Sequence, residues 1–165
     1  MMTAMHGPDE NIRENIHATA LLVADRGVLI SGASGTGKSG LALALINARL
    51  LSGGFAALVS DDRTILRAAN GRLLASAPET LAGGIEVRGA GLFCMAHEKQ
   101  AVIHLVVDLV SAIEAVRYPD EAKRTLCGVT LPRLALPSLA SAEANILMAC
   151  QAIAAALFMQ PWPHA

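Results

Sequence analysis

A chain of 165 residues with 53% apolar side chains is long enough for one domain with a real core. Its formal charge of −1, with no long basic run, excludes extended DNA or RNA contact, which needs a positive face against the phosphates. Three widely spaced cysteines, Cys94, Cys127 and Cys150, form neither a disulfide framework nor a paired zinc site, which suits a reduced cytoplasm.

Residues 1–14 are polar and acidic, unlike a secretory signal, and read as a loose tail before a single domain over 15–160 and a short tail at 161–165. Ala18–Ala24 is a β-type run, Asp25-Arg26-Gly27 a turn and Val28–Ser31 a returning strand. If Ala24 faces Val28, pairing carried outward sets His17 level with Gly35. That stretch, Gly32-Ala33-Ser34-Gly35-Thr36-Gly37-Lys38-Ser39, fits the phosphate-cradling pattern G-x-x-x-x-G-K-[ST]. Small residues let consecutive N–H groups turn inward around a phosphate, and the following helix adds its partly positive N-terminus. Lys38 would reach the β- and γ-phosphates, and the Ser39 hydroxyl would ligate Mg²⁺. Leu41–Ile46 begins the helix, which Gly53 and Gly54 can end.

Ala56–Ser60 is a buried strand ending in Asp61-Asp62, and acids at strand C-termini sit where α/β sheets bind ligands. Thr64–Ala68 and Arg72–Ala75 flank the hairpin signal Asn70-Gly71. A run over 85–93 carries Glu86, Arg88, Gly89 and Gly91, and Val102–Val110 is a strand with His104 and Asp108. Beyond it, Arg117-Tyr118-Pro119, Pro132 and Pro137 punctuate a loop-rich segment. The last helix spans Ile146–Met159, is interrupted by Gln151, and is shorter than the ~20 residues of a membrane span. Apolar almost all round, it belongs inside the domain or against another subunit, with the subunit contact preferred. Hairpins beside helix-linked strands predict an α/β fold with a mixed sheet flanked by helices, not a strictly parallel one.

Phosphoryl transfer needs positioning, charge neutralisation and an acceptor for the nucleophile's proton. Of Asp61 and Asp62, one is the base and the other its support, and His17 close by couples to the base's protonation. Ile103-His104-Leu105-Val106-Val107-Asp108 resembles four apolar residues and an acid, so Asp108 is either a metal ligand or a plain strand-end contact, the second preferred. His104, between apolar neighbours, reads as a satisfied core histidine. Glu86 and Arg88 share one strand face, as either a surface ion pair or a Mg²⁺ contact through Glu86 with a phosphate contact through Arg88.

These residues in this order resemble the catalytic domain of the bacterial HPr kinase/phosphorylase family. The likeness rests on Asn15-Ile16-His17, Gly27 to Ser39, Leu58 to Asp62, and Ile85-Glu86-Val87-Arg88-Gly89-Ala90-Gly91, the family's signature. It implies a core like that of HPr kinase and PEP carboxykinase. It also implies ATP- and Mg²⁺-dependent phosphorylation of a serine on the phosphocarrier HPr, with phosphorolysis by inorganic phosphate in reverse, and hexameric assembly. By position, His17 resembles the family's catalytic histidine, Lys38 the loop lysine, Asp62 the acid that takes the serine proton and Asp61 its neighbour. Ser39 and Glu86 resemble the Mg²⁺ ligands, and Arg117 the arginine after the last core strand. Against the family, the chain resembles a short form without the usual N-terminal domain; Gly40 stands where an acid is common, and Leu136–Ser141 lacks the Gly-Arg associated with phosphorolysis.

Two rivals use the same loop: a small-metabolite kinase of the nucleoside monophosphate or shikimate type, and an ATP-sensing module without transfer. The first needs a parallel sheet and an arginine-bearing lid. A GTPase lacks its Asn/Thr-Lys-x-Asp guanine-reading segment here.

Overall fold

In chain order, the elements of the computed structural model, which describes residues 12–142 and 144–163, are β1 (Arg13–Ile16), β2 (Ala18–Val23), β3 (Arg26–Gly32), α1 (Lys38–Leu51), β4 (Ala56–Ser60), β5 (Thr64–Ala69), β6 (Arg72–Ser76), β7 (Gly84–Val87), β8 (Gly91–Cys94), β9 (Gln100–Val110), β10 (Lys123–Leu126), β11 (Val129–Pro137) and α2 (Ile146–Phe158). Among these residues the strands form one nine-stranded sheet and a separate β7–β8 hairpin. The long β9 is its spine. It runs parallel to β3 on one side, and on the other pairs first antiparallel with β6, then parallel with β11. Antiparallel β2 and β4 complete one flank, and β5 and β1 the other. The sheet is therefore mixed, as expected.

Alternation gives each sheet face its own core. Leu21, Val28, Ile30 and Val107 pack under α1 and under Ala149 and Ile153 of α2. Leu29, Val59, Leu66 and Leu73 meet on the opposite face, so the sheet curls until its two flanks share that core. Helix α1 ends at Leu51 with Ser52 as its cap, and Gly53 at φ 78° follows in the left-handed conformation that glycine adopts without a Cβ penalty. The helix predicted over Ile146–Met159 is α2, one residue shorter. No described helix is long and apolar enough to cross a membrane.

Three local readings are corrected. The first hairpin turns at Ala24-Asp25, with Val23 opposite Arg26, so the pairing ends at Ala18 opposite Ser31 and sets His17 level with Gly32, not Gly35. Gly27 serves a close strand approach instead of the turn: a Cβ there would lie 2.1 Å from the Val102 carbonyl oxygen of β9. The run over 85–93 is a hairpin, with Glu86 on β7 and Arg88 in its turn, so the two do not share a strand face. The segment read as loop-rich contains β10 and β11, joined through Cys127 and Gly128 at φ 48° and 76°. Pro132 is tolerated because the neighbouring Arg133 N–H makes the ladder bond, to Ala122 O at 2.8 Å, and pairing with β9 starts only at Arg133.

The domain boundary expected at residue 15 falls inside β1, whose Arg13 pairs with Arg67. Residues 1–11 and 164–165 of the expected tails lie outside the described residues.

Candidate active site

The parallel strands β3 and β9 end beside each other, and the loop Ala33–Gly37 leaves β3 to start α1 at Lys38. Gly37 caps that helix at φ 98°, where any side chain is strained, and a Cβ there would lie 2.7 Å from Leu139 Cβ. The Leu139 N–H donates to Thr36 O at 2.9 Å, which ties the chain after β11 to the loop. Lys38 is buried, and its Nζ donates to the Gly32 and Ala33 carbonyls, both at 2.9 Å. Burial pushes its pKa down from the ordinary lysine value, against the opposing pull of Asp61 and then Asp62.

The acid pair divides sharply. Asp61 is buried, its Oδ1 accepting from Ser39 Oγ at 2.7 Å and Thr19 Oγ1 at 2.8 Å, its Oδ2 from the Glu86 N–H at 3.2 Å. It thereby ties α1, β2 and β7 together. At Asp62 the chain reverses: Arg63 N–H donates to Asp61 O at 2.7 Å, and Asp62 itself sits at φ 65°. The turn throws its carboxylate into solvent, 65% exposed, where His17 Nδ1 lies 3.0 Å from both Oδ1 and the Asp62 carbonyl oxygen. Both partners are oxygen acceptors, so Nδ1 carries the proton and Nε2 faces elsewhere.

The β7–β8 hairpin closes one side. Arg88 reaches over the loop, its Nη2 3.7 Å from where a Gly35 Cβ would stand. A cleft of about 500 Å³ results, lined by His17, Lys38, Ser39, Asp62, Glu86 and Arg88, with Leu43, Leu139 and Ile146 completing its wall. Among the described residues no group of three or more His, Cys, Asp or Glu is placed to hold a metal. The Ser39 hydroxyl and the exposed Glu86 carboxylate are hard oxygen donors. They suit Mg²⁺, which takes one or two protein oxygens and fills its octahedron with phosphate and water.

Not every expected residue joins them. Arg117 lies on the exposed loop between β9 and β10, its guanidinium 5.4 Å from the centre of the Tyr118 ring, and does not line the cleft. Asp108 is buried and bonded instead to Ser31 Oγ at 2.5 Å, to Arg133 Nε at 2.5 Å and to Arg124. Burial alone would raise its pKa; the Ser31 hydrogen bond and the two arginines outweigh it and hold the carboxyl below its ordinary value. His104 is half-buried and accepts from the Gly27 N–H at 3.1 Å, as a satisfied histidine does. Burial, then Arg26, lowers its pKa. Sequence reasoning passed over Thr19 and Leu139. Thr19 had a signal, being the one polar residue inside the apolar run Ala18–Val23.

The family model of the HPr Serine kinase C-terminal domain matches residues 11–160. The chain belongs to that family. The chain is 29% identical to the HPr kinase/phosphorylase of Lactobacillus acidophilus, over 76% of the chain and 41% of that protein. It is 32% identical to the HPr kinase/phosphorylase of Geobacillus thermodenitrificans, over 74% of the chain and 41% of that protein. The chain thus spans about two-fifths of the length of these curated relatives. The solved Hpr(Ser) kinase/phosphatase from Coxiella burnetii superposes with a TM-score of 0.70 at 27% identity, covering 85% of this chain and 93% of that one.

Proposed function

We propose that this chain transfers the γ-phosphoryl group of ATP to a serine of the phosphocarrier HPr. One observation carries the reading: the exposed Asp62 carboxylate, held by His17, shares a cleft with Lys38 and Ser39 of the phosphate loop. The serine Oγ attacks the γ-phosphorus, the bond to the β–γ bridging oxygen breaks, ADP leaves, and the serine proton passes to Asp62. Its contribution is chiefly to orient the hydroxyl and accept the proton late, as a loose transition state allows. The His17 Nδ1–H holds that carboxylate in place. Lys38 gives up its two carbonyl partners to meet the phosphates, and Arg88 covers the terminal one from above Gly35.

Ser39 and Glu86 would hold Mg²⁺, which would supply neutralisation of phosphate charge, while Asp61 keeps the Ser39 hydroxyl aimed. Arg117 has no step in this scheme. The same groups would serve phosphorolysis, in which inorganic phosphate takes the phosphoryl group from phosphoserine as pyrophosphate and Asp62 returns a proton to the serine oxygen, but the Leu136–Ser141 segment, without Gly-Arg, favours the kinase direction. Exposed Leu147, Met148 and Phe158 on α2 support a homo-oligomer, and three free cysteines support a cytoplasmic setting.

Incubation with γ-labelled ATP, Mg²⁺ and HPr should move label onto an HPr serine. Nucleotide binding with no transfer to HPr would instead identify a sensing module, and label on a small acceptor a metabolite kinase.

A further inference from the structure

The cleft is chemically one-sided along the phosphate loop. At Gly35 the neighbouring side chain is the Arg88 guanidinium; two residues on, at Gly37, it is the aliphatic Leu139. Past Lys38 the wall continues as Gly40, Leu43 and Ile146. Loops of this kind take the terminal phosphates at the lysine and the inner phosphates on backbone N–H groups. The nucleoside therefore leaves the cup on the side where this chain presents Leu43, Leu139 and Ile146.

These three are fixed in place before any ligand arrives. Leu139 is held by its bond to Thr36 O, and Leu43 packs against the core under α1. Ile146 stands at the first turn of α2, whose cap, Asn145 Oδ1, accepts from the Leu147 and Met148 N–H groups at 2.9 and 3.3 Å. Ile146 is nevertheless 42% exposed, an aliphatic edge left open at the mouth of a polar cleft. Among the described residues, and apart from Ser34 on the loop itself, the polar side chains lining the cleft are those already assigned to the phosphates, the metal and the acceptor serine.

Resting on the proposed use of the loop for a triphosphate, we infer that Leu43, Leu139 and Ile146 form an apolar shelf for the nucleobase and ribose that grips by contact area and does not read the base edge. Purine nucleoside triphosphates are then interchangeable donors. Discrimination between bases comes from buried hydrogen-bonding groups left unpaired by the wrong ligand, and an aliphatic shelf has none.

Calorimetric titration of the whole chain with ATP, GTP and inorganic tripolyphosphate, each with Mg²⁺, tests this. ATP and GTP should bind within about threefold of each other, and Ile146→Ser should weaken both by about three- to tenfold while leaving tripolyphosphate unchanged. Leu43→Ala carries the same expectation from the other side of the shelf. Preference for one purine above about thirtyfold, or equal losses for nucleotides and tripolyphosphate, would overturn the shelf alone. If none of the three ligands bound, the triphosphate reading itself would fall, and the shelf with it.

Discussion

Two strands of this sheet bring acids to their C-terminal edge after an apolar run, and the acids have opposite fates. Just past β4, Asp61 turns inward to hydroxyl and amide donors while Asp62 is thrown out to solvent beside His17. Near the end of β9, Asp108 is enclosed by Ser31, Arg124 and Arg133, with 10% of its side chain exposed. The apolar-then-acid pattern is the same. What differs is the counter-charge that the rest of the chain brings. A carboxylate whose lone pairs are filled by two guanidinium groups has nothing left for a proton or a metal. One that meets a single histidine at the surface keeps an oxygen free. The β10–β11 hairpin thus makes Asp108 a structural ion, and the turn at Asp62 makes an accessible one.

The largest effect that would break this contrast is on transfer. Asp62→Asn keeps the shape and tolerates the same backbone conformation, so nucleotide binding should stay within about twofold while phosphorylation of HPr falls by about a hundredfold or more. Equal turnover in a kinase assay would remove Asp62 from the reaction. Next is Asp108→Ala, which leaves Arg124 and Arg133 facing each other without a partner. Because both guanidinium groups are about a third exposed, the expected loss is about 2–4 kcal/mol in urea unfolding, below that of a fully buried pair.

Acid sharpens the same contrast. The folded-state pKa of Asp108 is depressed, so its stabilisation is complete above the unfolded value of about 4 and drains away as pH falls through the lower folded one. Wild type should therefore lose more stability than Asp108→Asn between about pH 4 and pH 2, and parallel curves would deny the depression. Smallest is Ser31→Ala, which removes the hydroxyl shared by Asp108 and Arg124 and should cost about 1 kcal/mol in the same unfolding experiment.

Much of this was written locally. Asn70-Gly71 sets its hairpin because both residues accept positive φ, here 50° and 72°. The run Ala56–Ser60 is a strand with no exceptions, and the glycine-rich loop lies between a strand and a helix as its spacing requires. His17, Lys38, Asp62 and Glu86 were therefore legible as candidates, and they do share a cleft. What failed depended on distant partners. Gly27 looks like a turn residue until β9 packs against it, and Pro132 looks like a breaker until its neighbour proves to carry the ladder bond. Arg124 and Arg133 drew no assignment from the sequence, since nothing local says that β9, paired beside β11, will deliver Asp108 to them. Arg117 is the converse case, named by resemblance to its family and found on a loop outside the cleft.

The posture of Lys38 has a consequence for what the loop admits. Its ammonium already donates to two carbonyl oxygens of the same loop, which leaves one of its three N–H donors for an incoming anion. A run of linked phosphates, meeting that donor and the loop amides together, would draw the lysine from its carbonyls more readily than a lone sulfate or chloride would.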